Sequence, residues 1–423
     1  MKEAFLYYIW RHQKFSNTPL FTVDQKRVEV VRPGNQNRGE GPDFFDTQLH
    51  FDGLLWNGPV EIHLKSSDWY RHGHHLDENY QNVILHIVWD HDVDISYSSG
   101  KKIPTLQVKD YLDPKTLSHY KEVFSVLPKK LPCETAIHRF PNFKWMPWLE
   151  RLFVERMEDR ITTIQKVLKE LKNDWEACLF LLLFKAFGLN INGAAFYENA
   201  KTIPFSVVQK LAGKKLDMEA LFMGQSGLLK TPVEDPYQKE LKQRYAYIKN
   251  KFNLSDGLIS KLQFARLRPL NFPSLRLAQL SAVYAQQSQL FQEVVGHSNP
   301  ETSFKIFSIP LNTYWKTHYT FGSKSIPREK KISRSFFDLV LINTLLPIRF
   351  AYSRYLGNSG EEELFQWAQK IPKEKNRITS IFSSFCVPNT HAVHSQALIH
   401  LYKSYCQNHA CLRCNVGFHL MKT

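Results

Sequence analysis

Pro59-Val60-Glu61-Ile62-His63-Leu64-Lys65 alternates apolar with ionisable side chains. A period of two marks a β-strand, which sends successive side chains to opposite faces. Val60, Ile62 and Leu64 then pack into a core, while Glu61, His63 and Lys65 share the other face. Three ionisable groups on one face of such a strand are costly unless they are solvated, paired or bound to a metal. The preceding stretch, Phe44–Phe51, also reads as a strand, and Asp52-Gly53 between the two is a turn signal. A hairpin about that turn brings Asp43, which follows Gly41-Pro42, opposite residues 61–63.

Outward from this hairpin, the periodicity predicts a helix at about residues 2–13, with Phe5, Tyr8, Ile9 and His12 on one face. Short strands are expected at Leu20–Val23 and Arg27–Arg32, then a turn-rich run from Pro33 to Pro42. After a His-rich loop and a short helical piece, Val83–Trp89 (VILHIVW) is apolar enough for a central, buried strand. Pro128, Lys129, Lys130, Pro132 and Cys133 suggest a linker over 126–142. Beyond it, three- and four-residue apolar spacing predicts helices throughout, among them Trp145–Lys172, Trp175–Phe187, Tyr237–Phe252, Leu275–Val294, Phe336–Ala351 and Glu361–Lys370. The expected fold class is α+β. A mixed α/β domain (1–125) precedes a basic, mostly α-helical domain (143–423) that carries a C-terminal cysteine cluster.

A chain of 423 residues can bury two or three cores, and 43% hydrophobic content argues against disorder over most of its length. The longest apolar runs, Ala177–Phe184 and Leu339–Ile348, fall short of the about 20 residues a membrane-spanning helix needs. Glu3 and Arg11 interrupt the N-terminal segment, which does not read as a signal peptide. Six cysteines without framework spacing point to a reducing compartment, with the cytoplasm as the default. Charge divides unevenly. Residues 1–125 hold 14 Lys and Arg against 17 Asp and Glu, whereas the remaining 298 hold 41 against 23. The basic excess therefore lies wholly in the helical part. It fits a surface for a polyanion such as nucleic acid, or equally a surface that only keeps the protein soluble.

Two converging carboxylates, Asp43 and Glu61, suit an oxygen-liking divalent cation such as Mg²⁺ or Mn²⁺. Lys65 would orient the attacking water, with His63 as helper or alternative base, and Glu3 or Asp46 would add a further acid. The competing reading is a solvated strand face crossed by salt bridges. Pro42-Asp43 followed by an acid and a base on the next strand resembles the PD-(D/E)xK nuclease signature, over roughly residues 1–95. The resemblance implies a restriction-endonuclease-like domain. The chain departs from it at His63, where that family has lysine; Lys65 stands one alternation further on. Over nearly its whole length the sequence also resembles a bacterial family catalogued as domain of unknown function 2851. The shared segments are GPDF (41–44), VEIHLKSSDW (60–69), HGHHLDENY (72–80), VILHIVWDHD (83–92), EALFMGQSGLL (219–229), RPLNFPSLRLAQL (268–280) and YCQNHACLRCNVG (405–417). That resemblance implies a soluble protein and does not settle its function.

Three further groups invite a functional reading. His72, His74 and His75, with Asp68 and Asp77, form a cluster able to bind Zn²⁺ or position a phosphate, or else an ordinary polar loop. His86 reads as a core residue. Cys406, Cys411 and Cys414 have metal-ligand spacing for Zn²⁺ or an iron–sulfur cluster, with Cys386, His409, His400 or His419 as fourth ligand; the alternative is three packed thiols. Cys133 and Cys178 read as core or linker residues. Arg266, Arg268, Arg276, Lys330, Lys331 and Arg334 are candidate phosphate contacts, or arginines and lysines paired with acids. The expected function is a metal-dependent phosphodiesterase, a nuclease acting on DNA or RNA. The alternative is a non-enzymatic nucleic-acid-binding or scaffold protein with a decayed nuclease-like domain and a structural zinc. The sequence leaves the oligomeric state open.

Overall fold

Phe44–Phe51 and Leu54–Lys65 form the hairpin that Asp52-Gly53 signals, with Phe51 opposite Leu54. The computed structural model describes residues 3–16, 19–37, 40–123, 130–230, 234–255, 260–297 and 299–422. Its N-terminal elements are helix α1 (Glu3–His12), strands β1 (Leu20–Phe21), β2 (Arg27–Arg32), β3 (Asn35–Gln36), β4 (Phe44–Phe51) and β5 (Leu54–Lys65), helix α2 (Asp68–Arg71), strands β6 (Leu85–Asp90) and β7 (Thr105–Gln107), and helix α3 (Pro114–Val123). The strands make one sheet in the order β1-β2-β4-β5-β6-β7, with β3 also paired to β4. Pairing is antiparallel from β1 to β5 and parallel from β5 to β7.

One irregularity decides the site. Near the turn β4 and β5 pair Thr47 with Gly58, but further out Phe44 pairs with Val60, so β4 carries one extra residue. The bulge includes Asp46, whose φ is 56°. A one-residue slip exchanges the two faces of a strand. Unbulged pairing would set Asp43 opposite Ile62, on the core face. The bulge sets it beside Glu61 instead, and Phe44 turns inward to join the core.

That core lies on the face covered by α1. Leu6 and Trp10 pack there with Val28, Phe44, Leu49, Val60, Ile62, Leu85, Ile87 and Leu106. The helix is buried on a second side as well, where Phe5, Tyr8 and Ile9 meet Leu112 and Met421. The other face of the sheet is covered by Trp69, Tyr80, Val83, Ile95 and Ile103, and on it sit the buried polar residues Glu61, His63 and His86.

The chain divides into two units: Met1–Trp148 with Ser384–Cys386 and His400–Thr423, and Leu149–Ser383 with Val387–Ile399. Two points differ from expectation. Residues 126–129 of the expected linker lie outside the described residues; the rest is packed, with Leu131, Ala136, Ile137 and Phe140 buried. Residues 400–423, with the three C-terminal cysteines, belong to the first unit and not to the helical one. The second unit is helical apart from a small hairpin, His318–Thr320 with Ser323–Lys324. Trp175–Phe187 and Glu361–Lys370 are helices over the expected ranges. The expected Leu275–Val294 helix is two, Pro273–Gln286 and Leu290–Gly296. The α+β class holds.

Among the described residues one helix, Arg334–Tyr355, is long and apolar enough to cross a membrane by length and composition; 67% of its apolar window is buried inside the protein. Its middle, Leu341–Leu345, is a π turn. Pro347 explains it, because proline has no N–H to bond the carbonyl of Asn343. The Arg160 guanidinium donates to that carbonyl instead.

Candidate metal centre

Glu61 and Asp43 grip each other through the backbone. The Asp43 N–H donates to Glu61 Oε2 at 3.0 Å, and the Ile62 N–H donates to Asp43 Oδ2 at 3.0 Å. From α1, the Tyr7 hydroxyl donates to Asp43 Oδ1 at 2.7 Å. Burial pushes both carboxyls up from their ordinary values. Glu61 is raised further by the Asp43 charge. Glu3, on the same helix as Tyr7, adds to the repulsion on both. Burial and mutual repulsion therefore disfavour ionising both carboxyls together, a cost that a bound cation would relieve. Of the two further acids expected, Glu3 is within electrostatic reach, while the bulge leaves Asp46 exposed beside Asn35.

Glu61 Oε1 faces imidazoles. It is 3.4 Å from His63 Nε2 and 3.4 Å from His74 Nε2. His72 Nδ1 is 3.2 Å from His63 Nε2. The ligating atoms of His63, His72 and His74 all lie within 4.8 Å of one another. Tetrahedral coordination at a Zn–N distance of about 2.0–2.1 Å sets neighbouring ligand atoms about 3.3–3.4 Å apart. The separations of Glu61 from His63 and His74, and of His63 from His72, are close to that edge, while the set within 4.8 Å of one another is the three imidazoles.

The local sequence explains the convergence. His63 comes from the strand. α2 and the turn after it fold back over the sheet, and Gly73, at φ 78° and ψ 14°, makes the left-handed step between His72 and His74. His74 stacks on Tyr80 with centroids 3.8 Å apart, and Trp69 lies edge-on to it at 5.4 Å. Behind His63, its Nδ1 lies 2.8 Å from Nε2 of the fully buried His86. Burial, then the neighbouring imidazoles, hold His63 down at about 2 and His74 at about 4; burial, then His74, holds His86 at about 3. The rings are therefore neutral at physiological pH, the state in which imidazole binds a metal. The close contacts of Glu61 with His63 and His74 are accordingly ligand-like approaches rather than salt bridges.

Lys65 does not join this group. It lies two strand steps, about 7 Å, beyond His63. Its side chain is exposed, its Cα neighbour is Asp90, and its backbone N–H donates to Asp68. Asp92 is engaged locally: its carboxylate accepts from Ser66 and Ser67. Tyr7, His72, His74 and His86 complete the centre. The signal for two of them, His72-Gly73-His74 directly after the motif strand, was readable, whereas Tyr7 and His86 carried none.

The basic candidates separate into two sets. Arg276 is buried, donating to Gln279 at 2.8 Å and Asn271 at 2.6 Å and stacking on Phe336. Lys330 is buried too, donating to the carbonyls of Trp315 and Lys316 at 2.8 and 2.6 Å. Arg334 is paired with Glu301 and Asp338. These three hold the helical unit together. Arg266, Arg268 and Lys331 are exposed.

Residues 3–377 match the family described as "Protein of unknown function (DUF2851)", and the chain belongs to it. No curated protein and no solved structure matches the chain.

Proposed function

We propose that this member of the DUF2851 family is a metal-dependent phosphodiesterase acting on DNA or RNA. The observation that carries the reading is the meeting of the Asp43–Glu61 pair, both carboxyls raised by burial, with the ligating nitrogens of His63, His72 and His74. His63, His72, His74 and Glu61 Oε1 would hold the cation, with Asp43 beside them. This mixed nitrogen and oxygen set favours Mn²⁺ or Zn²⁺ over Mg²⁺, which prefers oxygen alone. When bound, the cation supplies Lewis-acid polarisation of a phosphoryl oxygen.

The residues themselves do the rest. Tyr7 and the Ile62 N–H hold the Asp43 carboxylate in place. Asp43, with its proton affinity raised by burial, is suited to take a proton from water next to the cation. His72 is exposed and marks the open side from which a phosphodiester would enter. The Lys65 role expected from the motif falls to this imidazole and carboxylate set. The exposed Arg266, Arg268 and Lys331 suit phosphate contacts. A reducing, cytoplasmic setting fits six cysteines without framework spacing.

The test is hydrolysis of single- and double-stranded DNA and RNA with Mn²⁺, Zn²⁺ or Mg²⁺, using wild type, Asp43→Ala, Glu61→Ala and His74→Ala. Cleavage by the wild type that all three substitutions abolish is expected. Cleavage that survives in the variants refutes this site. A second reading, binding without turnover, draws on the exposed position of Lys65. It predicts salt-sensitive nucleic-acid binding and no cleavage with any of the three cations.

A further inference from the structure

Three cysteines close to the C-terminus have metal-ligand spacing, Cys406-x4-Cys411-x2-Cys414. The fourth thiol comes from far away in sequence. Cys133 is buried in the turn that precedes Ile137–Arg139, and its thiol lies within electrostatic reach of Cys414 and Cys411. Cys406 is within reach of Cys414, Cys133 and Cys411.

Packing brings these segments together. Cys411–Arg413 is a short 3-10 turn leading through Cys414 into the helix Asn415–Leu420. That helix lies against the Cys133 side of the chain: the Phe140 ring meets His419 edge-on at 5.5 Å, and Lys144 Nζ is 3.1 Å from His419 Nδ1. Gly417 allows the tight return, since a Cβ there would sit 2.1 Å from the Cys411 carbonyl oxygen. The earlier fourth-ligand candidates fare less well. Cys386 is exposed, His419 is engaged by Lys144, His400 is in hydrogen-bond contact with Ser404, and His409 is exposed.

We propose that Cys133, Cys406, Cys411 and Cys414 together ligate an iron–sulfur cluster. Four thiolates around one zinc, at Zn–S about 2.3 Å, would lie about 3.8 Å apart. Among the described residues, the histidine group is the one set of three or more ligands within 4.8 Å of one another, so the four sulfurs are spread more widely than one zinc requires. A [4Fe–4S] cluster accepts that spread because each cysteine binds a different iron. The consequence reaches the first site. The cysteine segment and the residues after it cover α1: Leu412, Phe418 and Met421 pack with Phe5, Tyr8 and Ile9, and the Tyr8 hydroxyl donates to the Met421 carbonyl at 3.3 Å. The same helix presents Glu3 and Tyr7 to Asp43. The cluster would therefore pin the helix that supports the carboxylate pair.

The inference is independent of any hydrolytic activity. The experiment is anaerobic purification of the full chain, with assay of iron, acid-labile sulfide and zinc and a visible absorption spectrum. Cys133→Ser, Cys406→Ser and Cys386→Ser are compared with wild type. Iron and sulfide in wild type and in Cys386→Ser, with loss of both and of the visible bands in Cys133→Ser and Cys406→Ser, is expected. Stoichiometric zinc without sulfide overturns the cluster. Retention of full iron and sulfide by folded Cys133→Ser overturns the fourth ligand. Should Cys133→Ser fail to fold, the wild-type composition and Cys406→Ser still decide: no iron and no sulfide in wild type after anaerobic reconstitution overturns the proposal.

Discussion

Replacing His86 by phenylalanine is expected to weaken Zn²⁺ or Mn²⁺ binding about 10- to 100-fold, the usual effect of removing a group that orients a metal-ligating imidazole. The reasoning starts from His63. Its Nε2 is the nitrogen that faces Glu61 and His72, at 3.4 and 3.2 Å. In the loaded state Nε2 must present a lone pair, so the ring proton sits on Nδ1. The acceptor for that proton is His86 Nε2, 2.8 Å away in a fully buried position. Phenylalanine keeps the ring volume but removes the acceptor. A buried N–H left without a partner costs about 1–3 kcal/mol, which falls on the loaded state and matches one to two decades in affinity. His86→Gln, whose amide oxygen can accept in place of Nε2, should recover much of the loss. The assay is competition against a chromophoric chelator with stripped protein, alongside urea unfolding of each metal-free variant. Unchanged affinity in a folded His86→Phe protein would show that His63 does not bind through Nε2, and the geometry assigned to the centre would fail.

Four further outcomes follow from the same structure. Deleting Asp46 removes the extra residue of the bulge and leaves a regular ladder in which Phe44 still pairs with Val60 and Asp43 still stands opposite Glu61; metal affinity should be retained, and its loss in a folded deletion variant would disprove the register argument. Gly73→Ala forces a side chain into left-handed backbone, at a cost of about 1–2 kcal/mol. It should lower both stability and metal affinity by isothermal titration, because His72 and His74 flank the position. Lys65→Ala should leave metal affinity within about twofold of wild type, as expected of an exposed surface charge; a larger loss would return Lys65 to the site. Burial raises Glu219 to about 7, although Trp315 and Tyr237 both donate to it. A raised carboxyl stabilises fully below its unfolded value of 4.5, and that contribution is lost as pH climbs through about 7. Relative to Glu219→Gln, the wild type should therefore lose about 3 kcal/mol between pH 4.5 and pH 8 in urea titrations. A difference independent of pH would contradict the burial argument.

Strand periodicity alone determined the hairpin, its turn, the division of Val60 and Ile62 from Glu61 and His63, and the approach of Asp43 to Glu61. These are local consequences of alternation and turn chemistry, and a one-dimensional pattern carries them. It also carried the α+β order and the long helices of the second unit. The final face of Asp43 is another matter, because it depends on a single bulged residue that has no mark in the alternation. The imidazole centre needed the fold of the loop after β5, which returns His72 and His74 over His63, and the parallel pairing that sets His86 beside Glu61. Arg276 and Lys330 looked like surface cations, yet each is buried, Arg276 against the Phe336 ring and Lys330 on the carbonyls of Trp315 and Lys316. Cys133 is the clearest case. It stands 273 positions before Cys406, and no spacing rule connects residues so far apart. Only packing of the C-terminal helix against the segment around Phe140 brings its thiol within electrostatic reach of the other three. Local periodicity thus decided which residues could be ligands, while bulge, crossover and chain return decided which of them meet.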